Sequence, residues 1–152
     1  MEVITNRLGD LNDRLGSDTD CLNWLGTGGR YQGQGIMQGS VASLNVVVVG
    51  RITTADGSSG VGFAAVANPM PGVDIAINAG GAFFNGGSVT SANGKTPKIQ
   101  SNSQSGQLFI LLHELAHINQ TAGFAGGDMD PNVNANNNDQ VWAHCNKTIT
   151  GR

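Results

Sequence analysis

His113, Glu114 and His117 are the residues of this chain best suited to chemistry, because they extend an apolar run, Leu108-Phe109-Ile110-Leu111-Leu112, that reads as a buried helix. Histidines four apart share one face of a helix. Two imidazoles on one face can take two positions around a divalent metal such as Zn²⁺, and Glu114 is placed to hold the water that such a metal activates. The chain has three histidines and two glutamates in all, so two of the former and one of the latter within one helical turn is a concentration. Without a metal, a buried His-Glu-His set needs a partner for every polar atom.

Catalytic zinc takes three protein ligands and keeps a fourth position for water. The third ligand is expected after His117. No glutamate follows Glu114, and in the spacing HExxHxxGxxH Gln120 stands where glycine is needed and Gly123 where the histidine should be. Asp128, Asp130, Asp139 and His144 remain. The segment from Gly123 to Asp130 is a glycine-rich turn ending in carboxylates, able to fold back under the helix end, which favours Asp128 and then Asp130. An HExxH completed by an aspartate soon afterwards resembles the aspzincin metallopeptidases. The stretch from Leu108 to Cys145 is also similar to HExxH metallopeptidase domains found at the ends of some bacterial secreted repeat proteins. The resemblance implies a zincin-like fold and zinc-dependent hydrolysis of peptide bonds, with one zinc per chain, a peptide or protein substrate, and Glu114 as general base. The chain departs from the aspzincin pattern at Gly126-Gly127, where Gly-Thr is usual, and no tyrosine follows to assist the transition state. His144 is therefore a candidate for that catalytic donor, for the third ligand, or for an ordinary surface histidine.

The same loop has a second reading, since Asp128, Asp130, Asn132, Asn134, Asn136 and Asp139 fall at the ligand positions of a Ca²⁺ loop. Val133 replaces the glycine of its sharp turn and Asp139 the bidentate glutamate, so calcium is less favoured than an Asn-rich turn capping the last helix. Two further function classes stand beside the peptidase. One is a zinc-stapled binding or structural domain without turnover, and the other a lectin-like or adhesin module on the Gly/Asn-rich strands, which predicts no zinc.

Charged residues make up 12% of the chain, its net charge is −3 and it has no basic run, which excludes nucleic acid as a partner. The 23 glycines, with frequent Asn, Ser and Thr, describe a loop-rich surface kept soluble by neutral polar groups, a balance closer to secreted than to cytosolic proteins. No apolar stretch approaches the ~20 residues that span a bilayer, so membrane insertion is not expected. Residues 1–30 lack a signal-peptide pattern, leaving a mature secreted fragment or a cytosolic chain. Cys21 and Cys145 are read either as a disulfide, worth about 4 kcal/mol for so long a loop, or as two buried thiols.

The elements that must position these residues form one domain, 1–152, of α+β class. Val3, Ile4, Leu8, Leu11 and Leu15 give an amphipathic helix over 3–15 ended by Gly16, with Leu22, Trp24 and Leu25 continuing its packing. The glycine-rich stretch 26–39 reads as a loop. Strands are expected at 41–49, at 60–67 after the turn Asp56-Gly57-Ser58-Ser59, and at 73–78, in an antiparallel or mixed sheet. Phe83-Phe84 reads as a bulge or further strand, and 85–104 as an irregular connection. The HExxH helix should begin at Ser103 or Ser105 and end before Gly123, burying Leu108, Leu111, Leu112, Leu115 and Ile118. A last helix over about 136–148 should bury Val141, Trp142 and Cys145, and the segment 73–84 is the candidate strand for pairing an extended peptide.

Overall fold

The computed structural model describes residues 2–27, 41, 44–53, 59–60 and 64–152. Most of the glycine-rich stretch 26–39, residues 56–58 of the expected turn and residues 61–63 lie outside that set. Helix α1 (Glu2–Leu15) buries Ile4, Leu11 and Leu15 and stops before Gly16, as the apolar spacing predicts. Helix α2 (Thr19–Leu25) follows at once and buries Cys21, Trp24 and Leu25. Five strands come next: β1 (Val46–Val49), β2 (Ile52–Thr53), β3 (Ser59–Gly60), β4 (Ala65–Met70) and β5 (Val73–Asn78). Three helices complete the order, α3 (Ala82–Asn85), α4 (Gln104–Asn119) and α5 (Pro131–Thr150). The class is α+β, with a small mixed sheet.

The sheet runs β1-β5-β4, with β1 parallel to β5 and β4 antiparallel to it. Pairs Val46↔Ile75 and Ala65↔Ile77 set the register, and Met70↔Val73 flanks the two-residue turn Pro71-Gly72, where Gly72 takes φ +75°. That turn explains a difference from the expected strand at 60–67. A strand paired with β5 through a two-residue turn must end at Met70, so Ala65–Met70 joins the sheet while Ser59–Gly60 pairs separately with β2. Of the expected strand over 41–49, Val46–Val49 pair with β5, and residues 42–43 lie outside the described set. Phe83-Phe84 is neither bulge nor strand but lies in α3, entered from extended Gly81 and ended by Gly86 at φ +90°. A further correction concerns substrate pairing. β5 is the central strand, bonded on both sides, so residues 73–78 have no free edge to offer a peptide. The edge strands are β1 and β4, and β4 is the one that packs against the HExxH helix.

Ser103 caps α4 by accepting from Gly106 N–H at 3.1 Å. The helix ends earlier than Gly123. Gln120 adopts the left-handed conformation, and the N–H groups of Gln120 and Thr121 close onto the carbonyls of His117 and Ala116 in a Schellman arrangement. The long helix α5 starts at Pro131 rather than near Asn136, because Asp130 accepts from Asn132 N–H and Pro131 suits the first helical position. Helix α4 is buried nearly all round, since from Gly106 to Asn119 only His117 keeps partial exposure. Its apolar residues form one cluster with those of α1, α2, α5 and the sheet.

Cys21 and Cys145 form a disulfide across 124 positions, with Cα atoms 4.6 Å apart. Beside it, the Asp18 carboxylate accepts from the N–H and hydroxyl of Thr148 at 2.9 and 2.8 Å. These two links lock α2 onto α5. No helix among the described residues is long and apolar enough to cross a membrane.

Gly106 of α4 lies against the backbone of residues 100–101. A Cβ there would lie 2.0 Å from the Gln100 carbonyl oxygen and 2.7 Å from Ser101 Cα. Gly106→Ala should therefore destabilise the protein by about 3 kcal/mol, read as a lower midpoint in urea with an unchanged slope.

Candidate metal centre

His113, Glu114 and His117 leave α4 on the face that turns toward β4 and α5. The Nε2 atoms of His113 and His117 converge on one oxygen, Asp128 Oδ2, at 2.5 and 2.6 Å. Asp128 arrives from the loop between α4 and α5. Among the described residues, His113, His117 and Asp128 form the one group whose ligand atoms could hold a metal ion, all lying within 4.8 Å of one another.

Neighbouring side chains fix the ligands. The Thr90 carbonyl can only accept, so the Asn138 atom 2.9 Å from it is the amide nitrogen, and Asn138 Oδ1 faces His113 Nδ1 at 2.9 Å. That oxygen holds the proton on Nδ1 and turns Nε2 toward the centre. Asn137 Nδ2 donates to Asp128 Oδ1 at 2.8 Å and to the Ala125 carbonyl at 2.8 Å. Phe124 presents its ring edge-to-face to both imidazoles, with centroids 5.0 Å from His113 and 4.7 Å from His117. Trp24 packs on the other side of Phe124 at 5.9 Å.

The proton balance bears on whether a cation fits. Burial opposes a charged His113, but the hydrogen bond to Asp128, the charge of Glu114 and the bond to Asn138 outweigh it and raise the pKa above the ordinary 6.5. Burial also opposes the Asp128 carboxylate, yet the bonds from His113 and His117 hold it well below the ordinary 3.8. Two imidazoles and a carboxylate aimed at one point thus require positive charge there, from protons or from a divalent metal. Two imidazole nitrogens and a carboxylate oxygen are a donor set that suits the latter, and the Asn138 contact leaves His113 Nε2 free to serve it.

Glu114 is 7% exposed, and burial raises its carboxyl above the ordinary 4.5 against the lowering effect of His113 and His117. The N–H of Ala67 hydrogen-bonds this carboxylate. The strand register makes that contact available. Ala64 O accepts from Asn78 N–H at 3.1 Å on the β5 side, which turns the backbone groups of Ala65 and Ala67 to the free edge of β4. Between this edge and α5 opens a cleft of about 270 Å³, lined by Ala65, Val89, Phe109, Ile110 and Asn134 around His113, Glu114 and Asp128.

Other candidates from the sequence have different work. Asp130 is exposed and caps α5. Asp139 is buried and accepts from Ser91 Oγ, Thr96 Oγ1 and the N–H groups of Ala92 and Asn93 at 2.5–2.9 Å. His144 stacks on Trp24, with centroids 5.0 Å apart and planes at 12°, outside the ligand group. The calcium reading fails on geometry, because Asn132, Asn134, Asn136 and Asp139 lie within α5 and cannot wrap a cation. Sequence reasoning missed Asn137, Asn138, Phe124 and the Ala67 N–H. The three- and four-residue spacing of Asn134, Asn137 and Asn138 was the available signal for a helix face. Comparison with family profiles, curated proteins and solved structures finds no match to this chain.

Asn138→Ala should weaken metal binding by about 10- to 100-fold in a competition titration against a chelator, with the fold retained. For Asp139, burial disfavours the charge but the Ser91, Thr96, Asn93 and Ala92 donors outweigh it and lower the pKa from 3.8. Its contribution is therefore complete above the unfolded-state value and is lost as pH falls toward the folded one. Asp139→Asn should cost about 2 kcal/mol at pH 7, and the gap to the unaltered protein should narrow in denaturant melts below about pH 4.

Proposed function

We propose that this protein is a zinc-dependent endopeptidase of zincin type, with the aspzincin order of ligands: His113 and His117 on one helix, Asp128 shortly after. The observation that carries the reading is the convergence of His113 Nε2, His117 Nε2 and Asp128 Oδ2 at a cleft, with Glu114 beside them. Bound zinc supplies Lewis acidity that activates water and polarises a carbonyl. Glu114 accepts the proton of the attacking water and delivers it to the leaving amine. Burial raises its carboxyl above the ordinary glutamate value, which makes it a better proton acceptor than a solvated glutamate. An extended peptide docks along the free edge of β4, where the outward backbone groups of Ala65 can pair with it. The Cys21–Cys145 disulfide supports an oxidising, extracellular setting.

A second outcome has its own supporting observation. Glu114 is hydrogen-bonded to the Ala67 N–H, an arrangement that also serves a zinc-stapled binding domain without turnover. Metal content by mass spectrometry and cleavage of a mixed peptide library separate the readings. One zinc per chain with cleavage supports the peptidase, zinc without cleavage the stapled domain, and no zinc after reconstitution overturns both. Glu114→Gln should keep its zinc and lose cleavage by about 1,000-fold, and retained turnover would remove Glu114 from the mechanism.

A further inference from the structure

Peptide hydrolysis in this cleft calls for a hydrogen-bond donor to the scissile carbonyl. When the water oxygen bonds to the carbonyl carbon, the C=O π pair moves onto oxygen and the water proton passes to Glu114. The new oxyanion needs stabilisation in a site of low dielectric. His144 is stacked on Trp24, and no Tyr, Lys or Arg is among the described residues lining the cleft.

Asn134 does line it. It sits one turn before Asn138 on the face of α5 whose other two amides already serve the centre, Asn137 on Asp128 and Asn138 on His113. Its orientation follows from theirs. The Thr90 carbonyl fixes Asn138 Nδ2, and that nitrogen also donates to Asn134 Oδ1 at 2.8 Å. Asn134 Oδ1 is thereby an acceptor, and Nδ2 is left as a donor with no partner among the described residues. The side chain is only half-buried, on the cleft wall with His113, Glu114 and Asp128.

We infer that Asn134 is a catalytic residue, donating from Nδ2 to the carbonyl oxygen of the scissile peptide bond as it becomes an oxyanion. The inference rests on the peptidase reading above. The amide gives up no proton. It supplies a dipole held in place by Asn138 before substrate arrives, which is where such donors gain their effect. On amine departure the oxyanion pair re-forms the C=O bond, the C–N bond breaks and Glu114 returns the proton to nitrogen.

The test compares Asn134→Asp with Asn134→Ala in the zinc-loaded protein. The aspartate keeps an oxygen for Asn138 but lacks the N–H, whereas alanine removes both. Both variants should lose kcat by about 100-fold with KM changed by less than about threefold, and zinc content should be unchanged in Asn134→Asp. A phosphinic peptide, which mimics the tetrahedral oxyanion, should bind either variant far more weakly than it binds the unaltered protein, while a substrate-like peptide should bind Glu114→Gln and the double variant Glu114→Gln/Asn134→Asp alike. Unchanged kcat and phosphinic-peptide affinity in folded, zinc-loaded Asn134→Asp would overturn the role and leave the peptidase reading intact. Zinc-loaded unaltered protein that cleaves no peptide and binds no phosphinic peptide would overturn both.

Discussion

Burying a histidine and a glutamate, with a second histidine beside them, on a helix that is covered nearly all round is the constraint to which the rest of the structure answers. His113 and Glu114 are 6% and 7% exposed, among leucines that are fully buried. A polar group placed there without a partner costs about 2 kcal/mol or more, a large share of a small protein's stability. His113 and Glu114 are met from different elements: His113 by Asp128 from a loop and Asn138 from α5, and the Glu114 carboxylate by the Ala67 N–H from the edge of β4. The site thus acts as a polar junction at which the sheet, α4 and α5 must meet in one register.

The next layer of interactions holds those partners still. Asn138 depends on the Thr90 carbonyl, and Thr90 stands beside the 91–96 turn that Asp139 organises with four hydrogen bonds. The side that bears Phe124 depends on α2. Its Trp24 buttresses Phe124, and α2 is held to α5 by the disulfide and by Asp18 on Thr148. The sequence-distant Cys21–Cys145 link therefore has a local consequence, since it keeps an aromatic wall against both imidazoles.

Much of this could be read from the sequence, and the failures share a physical cause. The HExxH helix, its Ser103 cap, the strand 73–78 and the preference for Asp128 follow from periodicity, capping chemistry and ligand arithmetic, all of which are local. Misplaced features depended on partners far away in sequence. The strand at 65–70 takes its register from β5, and Phe83 joins a helix through burial against the core. Residues 132–135 read as a turn ahead of the last helix, since asparagine is a poor helix former. An Asp130 cap with Pro131, together with the burial of Asn137 and Asn138 against Asp128 and His113, overrides that propensity. His144 invited a functional role because no tyrosine follows the HExxH to serve as donor, but that gap carries no information about where the His144 side chain points.

The preference for asparagine over charged residues around the centre has an electrostatic reason. Two neutral imidazoles and one carboxylate would leave a bound divalent cation with net positive charge, as the proposed activity requires. A carboxylate in place of Asn138 could still accept from His113 Nδ1 but would lose the donation to Thr90 and add negative charge, and one in place of Asn137 would repel Asp128 instead of donating to it. Amides hold geometry without altering the charge. The one further buried carboxylate of α5, Asp139, is turned away toward the 91–96 turn and neutralised by four donors, so its influence on the centre is mechanical rather than electrostatic. In a chain with so few charged residues, the titratable groups of the centre come from α4 and the loop after it, while the amides that only position them line one face of α5.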